Sequence, residues 1–172
     1  MVHSNVQVIC QLQFRFVRDI IGMEGCAIMK IYLDNCCFNR PFDDQSSLII
    51  RLETEAKLHV QELVRQGKLD LVWSFMLDYE NNANPFEEVY SQIAEWKSLA
   101  VFDCEPSDNV EASAEELMKL GLHAKDAVHI ACAIQIQTDY FLTTDKKILN
   151  KPIAGIQVVN PVDFIRRYSD AE

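Results

Sequence analysis

The sequence contains few of the residues that interrupt regular secondary structure, with 5 glycines and 5 prolines in 172 residues. Disordered, collagen-like and linker-rich chains contain many more of both. No apolar run reaches the roughly 18 residues that a membrane-spanning helix needs, so we expect a soluble protein with no membrane partner. The rest of the composition, 49% hydrophobic and 24% charged, is typical of one globular domain with a single core.

Basic residues are also scarce relative to acidic ones. The 16 Lys and Arg residues are outnumbered by 26 Asp and Glu residues, which gives a net charge of -10. A protein of this charge does not attract nucleic acid through its overall field. A polyanionic substrate would therefore have to be bound by a local group of cations or through metal ions.

Several common functional motifs are missing. The 6 cysteines form no CxxC or CxxH pair, so neither a zinc ribbon nor a thioredoxin-type redox site is indicated. The sequence also lacks GxGxxG, GxxxxGK[ST], GxSxG and HExxH, which argues against dinucleotide, P-loop, serine-hydrolase and zinc-protease sites. The N-terminus lacks a signal-peptide pattern, so we expect the cysteines to be reduced thiols in a cytoplasmic protein.

Charge divides the chain near residue 28. Residues 1–28 carry no net charge, whereas residues 29–172 carry the whole -10. Within the first segment, apolar residues from Val6 to Phe16 alternate with other residues, which is typical of a half-buried strand. Met29 then opens directly onto an apolar run. The sequence therefore predicts an N-terminal extension over residues 1–28 and a single domain over residues 29–172.

From Met29 onward, short apolar runs alternate with helical patterns. Apolar residues on one face predict a long helix over 47–66 that ends at Gly67, and Asp126 begins a later helix with its own apolar stripe. Strands separated by helices form mostly parallel sheets, because parallel neighbours need crossover connections. We therefore predict a three-layer α/β/α fold with a mostly parallel sheet of about five strands, at residues 31–33, 69–73, 99–102, 139–143 and 156–159.

Four acidic residues fall at or near the predicted carboxyl edge of the sheet, where open α/β sheets bind ligands. Asp34 ends the first strand, Asp145 follows the fourth, and Asp126 and Glu80 lie on helices that can reach the same crevice. Each acid alone has a simpler explanation, as a helix cap, a helix-dipole partner or a surface charge. Together, converging carboxylates repel one another unless a cation neutralises them. Oxygen ligands without a His or Cys cluster favour Mg²⁺ or Mn²⁺, which suggests phosphate-ester chemistry.

Five segments of the chain resemble the PIN domain, including the VapC-type toxins of prokaryotic toxin-antitoxin pairs. They have the order and spacing of that family over residues 29 to about 165. The five are Ile31-Tyr32-Leu33-Asp34-Asn35, Asn39-Arg40-Pro41-Phe42-Asp43-Asp44, Glu80, Lys125-Asp126-Ala127-Val128-His129-Ile130-Ala131 and Phe141-Leu142-Thr143-Thr144-Asp145-Lys146. The KDAVHIA and TTDK runs are the most specific. Residues 1–28 have no counterpart in the family.

The resemblance implies a PIN-like fold and a divalent-metal-dependent endoribonuclease, with Mg²⁺ or Mn²⁺ as cofactor and a product that carries a 5′ phosphate. It also implies four residues that are both catalytic and metal-binding, which are Asp34, Glu80, Asp126 and Asp145. Asp78 is an alternative to Glu80, two residues earlier. A non-catalytic PIN-like module that binds RNA or protein, and a related nuclease that acts on DNA, remain alternative functions.

Other residues are implied as supporting or substrate-binding ones. Thr143, with Thr144 as the alternative, matches a hydroxyl that supports the last acid, and Asn35 follows the first acid, where Thr or Ser is common. Basic residues beside the acids either bind RNA phosphates or are solvated surface side chains, and they are Arg40, Lys125 and Lys146. His129 lies three residues after Asp126 and is predicted to be a core or helix-surface histidine, with a position near the site as the alternative. The implied partners are an RNA substrate, an antitoxin protein and a second copy of the chain.

Overall fold

The computed structural model describes residues 28–171, and its centre is a five-stranded parallel sheet. The strands are β1 (Lys30–Leu33), β2 (Asp70–Ser74), β3 (Phe102–Cys104), β4 (Tyr140–Leu142) and β5 (Gln157–Val159). Their order across the sheet is β3-β2-β1-β4-β5. The chain builds one half of the sheet outward from β1 and then crosses to the other side, so the strand order reverses between β1 and β4.

Helices connect the strands throughout the part of the chain that the structure describes. In order they are α1 (Asn35–Asn39), a 3₁₀ turn (Arg40–Phe42), α2 (Leu48–Arg65), α3 (Phe75–Asn82), α4 (Glu87–Lys97), α5 (Asp108–Lys119), α6 (Ala124–Gln135), α7 (Lys146–Leu149) and α8 (Pro161–Ala171). Helix α2 packs against α8, and α5 packs against α6. None of these helices is both long enough and apolar enough to cross a membrane.

Local sequence signals set several helix ends. The Ser74 side chain accepts a hydrogen bond from the backbone N–H of Leu77 and so caps α3, and Ser107 caps α5 in the same way. Gly67 follows α2 with a φ of 69°, a left-handed conformation that glycine adopts without steric cost. These positions fix where each helix leaves or rejoins the sheet.

The sheet is covered by helices on both faces. Consecutive residues of β1 point to opposite faces, yet Ile31, Tyr32 and Leu33 are all fully buried. The Tyr32 ring stacks on Phe141 on the face that α6 covers, whereas Trp73 on the opposite face meets the Phe38 ring of α1. The predicted three-layer α/β/α fold with a parallel sheet of five strands is therefore confirmed.

The predicted boundaries are close to the observed ones except at β3, which was expected at residues 99–102 and begins at Phe102. The backbone N–H groups of Ser98, Leu99 and Ala100 bond back to carbonyls of the last turn of α4, so this segment continues a helical turn and cannot pair with β2. The extension predicted over residues 1–28 lies outside the described residues, save for residue 28, and the domain boundary stays a prediction.

Candidate active site

Two of the candidate acids stand where neighbouring strands end. Asp34 follows β1 directly, and its backbone N–H donates to the Leu142 carbonyl of β4 at 2.9 Å. Asp145 lies beyond the end of β4 and caps α7, because its Oδ1 accepts from the Lys147 backbone N–H at 2.7 Å. Both acids therefore sit at the carboxyl edge of the sheet, at the point where the strand order reverses. Ligands of open α/β sheets bind at this position.

The Asp34 carboxylate is almost buried, and one of its oxygens is held firmly. Oδ2 accepts hydrogen bonds from the Thr143 hydroxyl at 2.6 Å and from the Cys36 thiol at 3.1 Å. The Thr143 oxygen in turn accepts from the backbone N–H of Asp145 at 3.1 Å. Among the described residues, no donor is hydrogen-bonded to Oδ1 of Asp34, so that oxygen is available to a ligand.

Helix α6 brings the third acid to the same edge. Asp126 is half-buried in the first turn of α6. Burial raises the pKa of Asp126, and the negative charges of Asp34 and Asp145 raise it further, while His123 and His129 act in the opposite direction. No hydrogen-bond donor for the Asp126 carboxylate is found within residues 28–171. The carboxylate of Asp126 thus lies within electrostatic range of both Asp34 and Asp145.

The fourth acid lies beside the same turn of α6 but is already compensated. One carboxylate oxygen of Glu80, on α3, lies 3.1 Å from His129 Nε2, and the other lies 3.5 Å from Lys125 Nζ. Burial by itself raises the pKa of Glu80, but the hydrogen bond with His129 and the charges of His129 and Lys125 outweigh it. The pKa of Glu80 is therefore lowered, and the carboxylate is ionised at neutral pH.

The alternative acid, Asp78, is directed elsewhere. Its carboxylate accepts a hydrogen bond from Trp73 Nε1 at 2.9 Å and pairs with Lys97 Nζ at 2.6 Å. These contacts tie α3 to β2 and to the end of α4. Glu80, in contrast, contacts the residues that flank Asp126 on α6, so the geometry favours Glu80 over Asp78 as the fourth acid.

A buried chain of hydrogen bonds links Glu80 to the sheet. The Tyr32 hydroxyl lies 2.6 Å from Ser74 Oγ and 2.6 Å from His129 Nδ1, and His129 Nε2 reaches Glu80. Either the Tyr32 hydroxyl or His129 Nδ1–H can donate in the bond between them, and His129 Nε2–H donates to the Glu80 carboxylate. His129 is thus a core residue, as predicted, but it also connects the sheet to a candidate catalytic acid, which the sequence reasoning missed.

The residues predicted to support the acids or bind substrate have different surroundings. Thr143 contacts Asp34 as well as the backbone of Asp145, whereas the Asn35 side chain pairs with Asn39 inside α1, and no described hydrogen bond joins it to Asp34. Cys36, one residue later, makes the contact with Asp34 instead.

The three basic residues differ in how far they are already engaged. The Arg40 guanidinium is ion-paired with Asp43 and Glu53 and donates to the Thr144 hydroxyl, so it anchors the 3₁₀ turn to α2 and to the β4–α7 connection. Lys125 is exposed and contacts Glu80. Lys146 is exposed at the start of α7, directly after Asp145.

A divalent cation fits this site by donor chemistry. Carboxylate oxygens are the ligands that Mg²⁺ and Mn²⁺ prefer, and Asp34, Asp126 and Asp145 raise an electrostatic cost that a cation would remove. Within the described residues, however, no three or more His, Cys, Asp and Glu side chains lie close enough together to hold a metal ion.

Comparison of the sequence with family models and with curated proteins found no match. Among solved structures, one of VapBC2 from Rickettsia felis bound to a DNA fragment from their promoter is similar to this chain, with a TM-score of 0.49 and 12% sequence identity. The match covers 77% of this chain and 98% of the chain it is matched with. A likeness at this level carries no conclusion about function.

Proposed function

We propose that the chain is a divalent-metal-dependent endoribonuclease of the PIN type, acting as the toxin of a toxin-antitoxin pair. One observation carries the proposal. The half-buried Asp126 carboxylate has no hydrogen-bond donor among the described residues, and its pKa is raised by Asp34 and Asp145. Such an arrangement opposes folding, and it becomes useful when a cation binds. The KDAVHIA and TTDK runs, which resemble the PIN domain, contain two of these three acids.

The roles of the chain's own residues follow from their contacts. Asp34, Asp126, Asp145 and, beside them, Glu80 would hold Mg²⁺ or Mn²⁺, which supplies an activated water and stabilises the leaving oxygen of a phosphodiester. Thr143 and Cys36 hold one oxygen of Asp34, so the other keeps a fixed direction. The His129 chain orients Glu80 in the same sense. Asp34 and Glu80 are thereby oriented before the substrate arrives.

A second candidate function is a PIN-like module that binds RNA or protein without cleaving it. The observation in its favour is that no group of three or more metal-binding side chains is assembled within residues 28–171. Glu80 also has two positively charged or hydrogen-bonding neighbours of its own. These two functions differ in a single measurable property, which is turnover.

The test is cleavage of single-stranded RNA by the full chain with Mg²⁺, with Mn²⁺ and with EDTA. We expect metal-dependent cleavage, and a decrease of at least about tenfold in Asp34→Asn and in Asp126→Asn, equivalent to about 1.4 kcal/mol of transition-state stabilisation. Asp163→Asn is the matched control, because Asp163 is the third residue of α8 as Asp126 is of α6, but it is exposed. RNA binding without cleavage by the parent protein would favour the second candidate function.

A candidate surface for the proposed protein partner and for self-association lies on α2. Leu48, Ile49 and Leu52 are exposed together in the first turns of α2. Large apolar side chains that lie side by side in water are common at protein interfaces. Light scattering of the chain alone is expected to report a dimer or larger species, and a monomer of 19.7 kDa would contradict self-association.

A further inference from the structure

An exposed aromatic ring lies beside the candidate active site. Tyr79 precedes Glu80 on α3, and 60% of its surface is exposed. Lys125 Nζ lies 5.5 Å from the centre of the Tyr79 ring and 3.5 Å from Glu80. The Lys125 side chain is itself 58% exposed. An aromatic face and an ammonium group are therefore presented to solvent next to a candidate catalytic carboxylate.

Packing in the hydrophobic core does not account for the exposed position of the Tyr79 ring. Within residues 28–171, the other strongly exposed aromatic side chains are Phe42 and Phe86, and no cation lies over either ring. Lys125 over the Tyr79 ring restricts the ring by a cation–π contact. The Tyr79 ring thus contacts a cation while most of its surface stays accessible to a stacking base.

The overall charge of the protein sets a condition on any nucleic-acid site. Because the protein carries a net charge of -10, its overall field repels RNA, and binding must come from local contacts. Bases stack on exposed aromatic rings whatever their sequence, and a neighbouring cation contacts the backbone phosphate. A base that is paired in a duplex cannot offer its face in this way. Tyr79 and Lys125 together supply both contacts within the reach of one nucleotide.

We propose that Tyr79 and Lys125 form a nucleotide-binding site for single-stranded RNA, in which an unpaired base stacks on Tyr79 and the adjacent phosphate contacts Lys125. This inference rests on the proposed ribonuclease function and specifies its substrate as RNA with an unpaired nucleotide next to the cleaved bond. Lys125 also pairs with Glu80, so a phosphate bound at Lys125 lies next to the candidate catalytic acids.

The test measures binding in the absence of cleavage. Fluorescence anisotropy of a labelled oligouridylate is followed with the full chain in EDTA, for the parent and for Tyr79→Ala, Tyr79→Phe and Phe86→Ala. We expect Tyr79→Ala to weaken binding about tenfold, as for the loss of one base stack. Tyr79→Phe keeps the ring and should bind within about twofold of the parent, and the control Phe86→Ala should bind unchanged.

The phosphate contact of Lys125 and the preference for single-stranded RNA are measured separately. In Lys125→Gln, the slope of log affinity against log salt should become less steep by about 0.7, as for one lost phosphate contact on a single strand. A blunt RNA duplex should bind the parent more weakly than the oligouridylate, and Tyr79→Ala should not change that weak binding.

The outcomes separate this inference from the proposed function. The inference is overturned if the parent does not bind the oligouridylate, if Tyr79→Ala binds as tightly as the parent, or if Phe86→Ala weakens binding equally. Binding that depends on Tyr79, without metal-dependent cleavage, supports the nucleotide site and contradicts the ribonuclease. Cleavage by a Tyr79→Ala variant that binds normally supports the ribonuclease and overturns the nucleotide site.

Discussion

Replacing Thr143 by Val removes one hydroxyl from beneath the candidate active site and keeps the shape of the side chain. Thr143 is 0% exposed, and its hydroxyl donates to the Asp34 carboxylate at 2.6 Å while it accepts from the Asp145 backbone N–H at 3.1 Å. A hydrogen bond to a charged group contributes about 1.5–3 kcal/mol. The free energy of unfolding should therefore fall by about 2 kcal/mol, and Tm by about 4–8 °C.

Thr138 offers the same substitution at nearly the same burial, but its side-chain hydroxyl makes no hydrogen bond with the described residues. It is 3% exposed, and within residues 28–171 its hydroxyl oxygen has no hydrogen-bond partner. Thr138→Val removes a buried polar group that is not satisfied, so the free energy of unfolding should stay within about 0.5 kcal/mol of the parent or increase. The difference between the two variants isolates the hydrogen bonds of Thr143 from the general effect of placing Val in the core.

Urea denaturation and thermal unfolding of both variants measure this difference, and RNA cleavage is followed in parallel. Thr143→Val should also lose cleavage activity at a temperature where it is fully folded, because Asp34 then keeps only the weaker Cys36 thiol as a side-chain donor. Equal destabilisation by the two substitutions would refute the assigned role of the Thr143 hydroxyl. Normal cleavage by folded Thr143→Val would show that the position of Asp34 does not depend on this hydrogen bond.

Three further predictions concern charge and burial. The pKa of Asp126 is raised by burial and by two neighbouring carboxylates. The free energy of unfolding of the metal-free protein should therefore fall as pH rises through that pKa. Thermal unfolding of Asp126→Asn should lack this pH dependence and occur at a higher temperature than in the parent at pH 7. Burial lowers the pKa of Lys57 to about 8, so its charged form opposes folding by about 3 kcal/mol at neutral pH. Lys57→Met should therefore be more stable than the parent in urea at pH 7, with a gain that shrinks between pH 8 and 10.5. His129→Leu should lower the free energy of unfolding by about 1–3 kcal/mol, since the buried Tyr32 hydroxyl loses a partner, and denaturation in urea measures this loss.

Most of the fold could be predicted from the sequence because its signals are local. The runs around Tyr32 and Val72 are continuously apolar, which predicts strands buried on both faces, and Ser74 and Gly67 are positioned as a helix cap and a helix end. The start of β3 could not be predicted in the same way. Leu99 and Val101 have the composition of a strand, but hydrogen bonds to the end of α4 hold Leu99 in a turn.

The candidate site was predictable only where the topology decides it. Parallel strands that are neighbours at a reversal of strand order bring their carboxyl ends together, which places Asp34 near Asp145 without any knowledge of side chains. The contact between Cys36 and Asp34 depends on α1 beginning directly after β1. The hydrogen bond of His129 joins α6 to Tyr32 of β1, and a single histidine in an apolar stripe does not indicate such a partner.

The four acids are unequally compensated, and this difference bears on how a cation would bind. Glu80 already has His129 and Lys125 within 3.5 Å, so it gains less from an added positive charge. Asp126, whose pKa is raised by Asp34 and Asp145, gains most, although its place in the first turn of α6 offsets part of the repulsion. Electrostatics therefore favours a divalent cation first at the three aspartates, on the side of the sheet edge where β1 and β4 end. Glu80 can join the cation only as its pairing with Lys125 weakens, because the same carboxylate cannot be fully compensated by both.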